Sequence, residues 1–179
     1  MIDIDEFSND FKFFKVLNKP GYGWIVHSLP GVVVLPIRFN SYYDSKKVSD
    51  IDVGLIHIYR DPLEIKSWEI PGGEIENKED LVQAALRELC EETGYHANKV
   101  EKIGLFYETP GRQYHPHHVL IASNLLSSKK HGRLAEEEGI QDFRFFKLTE
   151  IDKMILMNKI ISSPTITAIK ILSLWLNTV

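Results

Sequence analysis

Glu88, Glu91 and Glu92 stand together at the end of a stretch that reads as a helix and stops at Gly94. A helix C-terminus already carries partial negative charge, and each acid there is disfavoured by a few tenths to about 1 kcal/mol. Something must offset them. At 100° per residue the three fall on one side of the helix, and the same side carries Leu81, Ala84 and Ala85 nearer its start. The acids therefore continue a body-facing apolar stripe, whereas an ordinary acidic run forms a solvated face. Carboxylates crowded and partly desolvated in this way repel one another and take up protons unless cations neutralise them. Hard oxygen ligands suit Mg²⁺, with Mn²⁺ as a substitute, and Mg²⁺ is commonly shared between a few carboxylates and substrate phosphates.

The elements that must position these groups are legible around them. The pattern predicts strands over 31–39, 51–60, 100–107, 118–124 and 143–148. A helix starting at Asn77 or Lys78 carries the acids, with Gly94 as its C′ residue. Thr149 and Asp152 have capping-box spacing for a second helix running to about 159, and Ser163-Pro164 opens a third. Strands alternating with helices predict a mixed sheet covered on both faces.

Composition narrows the class. The chain has 179 residues, 44% hydrophobic and 26% charged, as expected of one globular domain. A net charge of −4 gives no bulk attraction to nucleic acid or membrane, so phosphates must be met through metal and a few local cations. The single cysteine, Cys90, allows no intrachain disulfide and reads as structural. The start, Met-Ile-Asp-Ile-Asp-Glu, lacks a signal-peptide pattern, and the apolar stretch 169–176 is broken by Lys170 and Ser173. A cytoplasmic location is the expectation.

The stretch from Gly73 to Tyr95 resembles the Nudix box, Gly-x5-Glu-x7-Arg-Glu-U-x-Glu-Glu-x-Gly-U, where U is a bulky apolar residue. Gly73, Glu79, Arg87, Glu88, Glu91, Glu92 and Gly94 occupy every fixed position, and Leu89 fits the first U; only Tyr95, at the last, departs. At average composition, seven such coincidences arise on the order of 10⁻⁸ per starting position. The resemblance implies an α+β fold, an α/β/α sandwich around a mixed sheet. It also implies a metal site at Glu88, Glu91, Glu92 and the Gly72 carbonyl, with Arg87 and Glu79 holding the loop-helix-loop together. Tyr59-Arg60, Trp68-Glu69-Ile70-Pro71-Gly72-Gly73 and Pro110 are similar to the ADP-ribose pyrophosphatase and nucleotide-sugar hydrolase branch.

The activity so implied is Mg²⁺-dependent cleavage of the pyrophosphate in a nucleoside diphosphate linked to another moiety. ADP-ribose, giving AMP and ribose 5-phosphate, leads; GDP-mannose or UDP-sugars are the alternatives within enzymes. A nucleotide-binding sensor without turnover is the alternative outside them. In such relatives the acidic loop at Glu136-Glu137-Glu138 supplies the catalytic base, here Glu138 first and Glu136 second, with Glu91 as another choice. Arg60 is a candidate to grip a phosphate, set against an exposed strand-end arginine, and Glu69 to bond base or ribose; Trp68 reads as core. The run Pro110-Gly111-Arg112-Gln113-Tyr114-His115-Pro116-His117-His118 departs from the branch, which puts the substrate in question. Phosphate contact by Arg112 or His115 stands beside the plainer reading of a polar loop, as does a transition-metal site from the histidines. The segment 1–30, with six aromatics among them Phe14 and Trp24, is read either as an element for homodimerisation or as folding back on its own domain, and it precedes a Nudix domain at 31–179.

Overall fold

The computed structural model describes residues 14–19, 21, 23–39, 51–127 and 138–178. Its core is set by period-two alternation on strand β3 (Gly31–Phe39). Val33, Leu35 and Ile37 point into one apolar cluster and Val32 and Val34 into another. The parallel neighbour β9 (Pro116–Ser127) repeats the pattern, Val119 and Ile121 on the first side, Leu120 and Ala122 on the second. A sheet buried on both faces needs a helix layer on each.

Those layers are present. Helix α1 (Leu81–Thr93) lays Ala84, Ala85 and Leu89 on the second face. Helices α2 (Leu148–Leu156) and α3 (Ser163–Leu176) cover the first with Ile151, Met154, Ala168, Ile169, Leu172 and Leu176. Among the described residues the main sheet has seven strands. Its path runs β10 (Ile140–Lys147), β4 (Ile51–Arg60), β3, β9 and β7 (Tyr95–Tyr107). Strand β5 (Ile65–Glu69) pairs with β4, and β6 (Gly72–Glu74) with β3. The β3–β9 pair is parallel and the other pairs are antiparallel, so the sheet is mixed and the fold is the expected α/β/α sandwich.

Several expected boundaries move. Helix α1 begins at Leu81 rather than at 77 or 78, because Asp80 is the better cap. Its carboxylate accepts from the Val82 and Gln83 amides at 2.9 Å, and Gln83 returns a bond to the Asp80 amide at 3.0 Å. Lys78 instead takes a left-handed turn conformation (φ 72°). In α2 the Thr149–Asp152 cap gives way to Glu150, which accepts from the Lys147 amide at 3.2 Å, and the helix starts at Leu148. It ends at Leu156 rather than near 159, where Asn158 turns left-handed (φ 55°). Strands β7, β9 and β10 each begin two to five residues before the sequence reading.

A second sheet was not expected. Strands β1 (Phe14–Lys19) and β2 (Gly23–Ser28) form an antiparallel hairpin, and β8 (Gln113–Tyr114) adds to β2 in parallel. With β9 starting at Pro116, five residues of the supposed polar loop, 113, 114 and 116–118, are therefore strand. No helix among the described residues is long and apolar enough to cross a membrane.

Candidate active site

The site grows from the junction between β6 and α1. Gly72 and Gly73 let the chain pass between β3 and the helix: a methyl at Gly72 would overlap the Val32 carbonyl, and one at Gly73 the Glu88 carboxylate. Only residues without a Cβ allow this approach. The Glu92 carboxylate closes the contact by accepting from the Gly72 amide at 2.8 Å.

Arg87 holds the other end of the loop. It donates to both Glu79 oxygens at 3.0 Å, to Glu88 at 2.7 Å, to Glu91 at 3.1 Å and to the Glu74 carbonyl at 2.9 Å. The planar guanidinium can serve so many acceptors at once; a lysine could not. Arg87 thereby stays firmly charged, chiefly through the Glu79 bonds, and these hold the Glu79 carboxyl below its ordinary range.

One guanidinium does not neutralise the cluster. Glu88 and Glu92 are buried on the apolar stripe, Glu91 half-buried. Burial first, then the neighbouring acids, push the Glu88 carboxyl up and the Glu92 carboxyl well up. Glu138, arriving from the turn before β10, is close enough to raise both, and is itself raised by burial and by Glu91. Glu136 and Glu137 lie outside the described residues. Such hard, charge-deficient oxygen donors fit a divalent cation. Glu88 and Glu91 are turned to Arg87 and Glu92 to the Gly72 amide. Among the described residues, no three acidic, histidine or cysteine side chains converge as a ready metal cage, so the histidine run does not form one either.

A cleft of about 460 Å³ adjoins the glycine loop, and Gly72, Gly73 and Glu74 form part of its wall. Arg60 and Glu69 line it as a two-bond pair, at 2.8 and 3.2 Å, with Glu69 buried and Arg60 half-exposed. Glu69 holds Arg60 charged, and the field of Glu92 and Glu138 reaches the same guanidinium. Trp68 packs against the main core and stacks on His57 at 4.6 Å. Arg112 is not brought here. It borders a separate hollow of about 380 Å³ with Tyr107 and Tyr114.

The sequence reading missed Gly31 and Thr165 and weighed His117 only within a transition-metal alternative, and all three line the cleft. The signal for His117 was parity: it shares a side of β9 with Val119 and Ile121. Thr165 was hidden because its role is long-range, accepting through Oγ1 from the Ile70 amide at 3.1 Å.

Residues 53–167 match the family model described as NUDIX domain. The chain is 35% identical over 120 residues to the ADP-ribose pyrophosphatase of Bacillus subtilis (strain 168). It is equally identical, over a stretch of the same length, to the methanol dehydrogenase activator of Bacillus methanolicus. Each match spans 67% of this chain and 64% of the relative, a little under two thirds of that protein's length. A solved structure titled "Crystal structure of ADP compounds hydrolase" superposes with a TM-score of 0.69 at 19% identity, covering 94% of this chain and 89% of that one. With the full box standing on α1, and with that domain match covering most of the sheet and all of α1 and α2, the chain belongs to the Nudix family.

Proposed function

We propose that the chain hydrolyses the pyrophosphate linkage of a nucleoside diphosphate joined to a second moiety, and that ADP-ribose is the first substrate to test. The observation that carries this reading is the meeting of four acids and one cleft at a single glycine loop. Glu88, Glu91, Glu92 and Glu138 act on one another beside Gly72-Gly73, and the cleft lined by these glycines carries Arg60, which feels Glu92 and Glu138. The 35% identical ADP-ribose pyrophosphatase supports the choice of substrate.

A pyrophosphate resists attack because its own negative oxygens repel the nucleophile. A divalent ion, Mg²⁺ by the hardness of the donors, would supply charge neutralisation at those oxygens and a lowered pKa for the attacking water. Glu88, Glu91, Glu92 and the Gly72 carbonyl are the residues that would hold it. Glu138, whose carboxyl burial and Glu91 push up, would take the water's proton as the oxygen joins phosphorus and the bridging P–O bond breaks. Arg87 does not meet substrate in this scheme; it fixes the loop to the helix. Arg60 offers a fixed cation to a phosphate, oriented by Glu69. The proposed assembly is a homodimer built through the segment preceding residue 31, the domain proper being 31–179.

The test is phosphate release, after phosphatase coupling, across ADP-ribose, GDP-mannose, UDP-glucose and diadenosine polyphosphates with Mg²⁺ or Mn²⁺. Preference for ADP-ribose supports the reading in full. Preference for a nucleotide sugar keeps the chemistry and changes the substrate. No turnover of any compound, with tight nucleotide binding, makes the chain a sensor.

A further inference from the structure

The cleft wall contains a small polar cradle that the hydrolytic scheme leaves unused. Gly31 pairs with Glu74 on one side and with His117 on the other. A methyl on Gly31 would lie 3.2 Å from the Gly73 carbonyl oxygen, 3.4 Å from His115 Nε2 and 3.6 Å from His117 Nδ1. Those three polar atoms thus crowd round the Cα of Gly31, and all four residues line the cleft.

The hydrogen-bond directions in this cradle follow from its surroundings. The Thr109 hydroxyl donates to Gln113 Oε1 at 3.2 Å, which turns the Gln113 amide nitrogen toward Ser28 Oγ and His115 Nδ1, at 3.3 and 3.5 Å. A donor at Nδ1 leaves the ring hydrogen on Nε2, so His115 presents a donor to the cradle. His117 is 8% exposed and stacked on Phe106, its Nε2 buried without a hydrogen-bond partner. The Glu108 carboxylate lies 3.5 Å from that nitrogen, short of hydrogen-bond geometry but favouring the hydrogen there, which leaves Nδ1 as an acceptor. Burial disfavours the charged form of both rings. The cradle therefore offers one donor, His115 Nε2–H, between two acceptors, His117 Nδ1 and the Gly73 carbonyl.

Phosphate oxygens only accept, and two of these three atoms would repel them. A hydroxyl both donates and accepts, and a pair of neighbouring hydroxyls satisfies all three atoms. We infer that Gly31, His115, His117 and the Gly73 carbonyl form a specificity subsite for a neutral, hydroxyl-bearing moiety, a sugar, attached to the diphosphate. This inference rests on the proposed pyrophosphatase reading and adds to it which part of the substrate the departing 110–118 segment recognises. His115 and His117 are positioning residues for the sugar and take no part in proton transfer.

The test compares ADP-ribose with the β-hexyl ester of ADP, which has the same pyrophosphate and no hydroxyl on its second moiety. Gly31→Ala puts a methyl 3.2 Å from the Gly73 carbonyl oxygen and fills the space beside it, and His115→Ala removes the donor without adding atoms. Each is expected to lower the ratio of kcat/KM for ADP-ribose to that for the hexyl ester about 3- to 10-fold, the worth of one neutral hydrogen bond. Most of the change should lie in KM. A damaged fold would lower both substrates together and leave the ratio where it was. An unchanged ratio in both variants, with wild type cleaving both compounds, overturns the cradle and leaves the hydrolase standing. Calorimetry of the same two ligands with Ca²⁺ reads the subsite without turnover. Variant-sensitive preference for ADP-ribose there, in a wild type that hydrolyses neither compound, would retain the cradle and sink the hydrolase.

Discussion

Glu92 concentrates the conflict on which the site is built. Its carboxylate is buried, feels Glu88 and Glu138, and among the described residues accepts in return from the Gly72 amide alone. The folded protein therefore holds the Glu92 proton at pH values where the unfolded chain has released it. For such a raised acid, stability is full below the unfolded glutamate pKa of about 4.3 and falls as pH rises toward the folded value. Without divalent metal, the melting temperature should fall from acidic toward neutral and alkaline pH. Glu92→Gln keeps an oxygen to accept from Gly72 and removes the charge. That variant should melt higher than wild type in EDTA at pH 8 and show a flatter pH profile. With Mg²⁺ it should lose most turnover, because a metal-holding oxygen is gone. Full activity in Glu92→Gln, or an unchanged pH profile of melting, would remove Glu92 from the proposed metal set. The residue types that make this site were visible in the sequence, since the spacing of Glu88, Glu91 and Glu92 against Ala84 and Ala85 reports burial directly. The partners were not, because the Gly72–Glu92 bond and the Arg60–Glu69 pair depend on chain segments meeting across the sheet.

At the scale of elements, α1 has to be held at both ends to present its last turn. Gly94 closes it in the left-handed conformation (φ 70°), a position that the sequence made plain. Its start was misplaced because several polar residues in a row all can cap, and only the reciprocal Asp80–Gln83 bonds decide among them. Asp80→Ala should cost about 1 kcal/mol of stability, the usual worth of a lost N-cap. Since Glu79 and Arg87 clamp the same loop independently, activity at 25 °C should change little while the denaturation midpoint drops. Chemical denaturation with coupled activity assays checks both; a large loss of kcat in a stable, folded variant would mean that the cap also sets the geometry of the carboxylates. Strands β7 and β9 illustrate the limit of period reading at this scale. Their ends, such as Tyr95 to Lys99, are at most half-buried and lack the continuous apolar run that marks β3.

For the whole molecule, the seven-stranded sheet buries its faces but the three-stranded sheet does not. On β1 and β8, Leu17 and Tyr114 are 42% and 46% exposed, and pairing places them on one face with Ile25 and His27. Tyr107 borders the same hollow as Ile25 and Tyr114. Nothing in the local sequence announced this sheet, because β8 is two residues long and pairs with a strand more than eighty positions earlier. What the sequence did show was an aromatic-rich N-terminal segment with no evident place in a single domain. A face that sets Leu17, Ile25 and Tyr114 beside Lys15 and His27, next to the edge strand β1, invites pairing with another copy of the chain. On the proposed homodimer, sedimentation at micromolar concentration should give twice the chain's 20.6 kDa. Leu17→Glu would place a charge in the middle of that face and should shift the protein to monomer while its melting profile stays cooperative. Because Leu17 is already exposed, a burial defect in the monomer is not expected to confuse the outcome. A wild type that sediments as a monomer at all concentrations, or a Leu17→Glu variant that stays dimeric, would remove this sheet as the dimer contact and leave Leu17 and Tyr114 as ordinary surface.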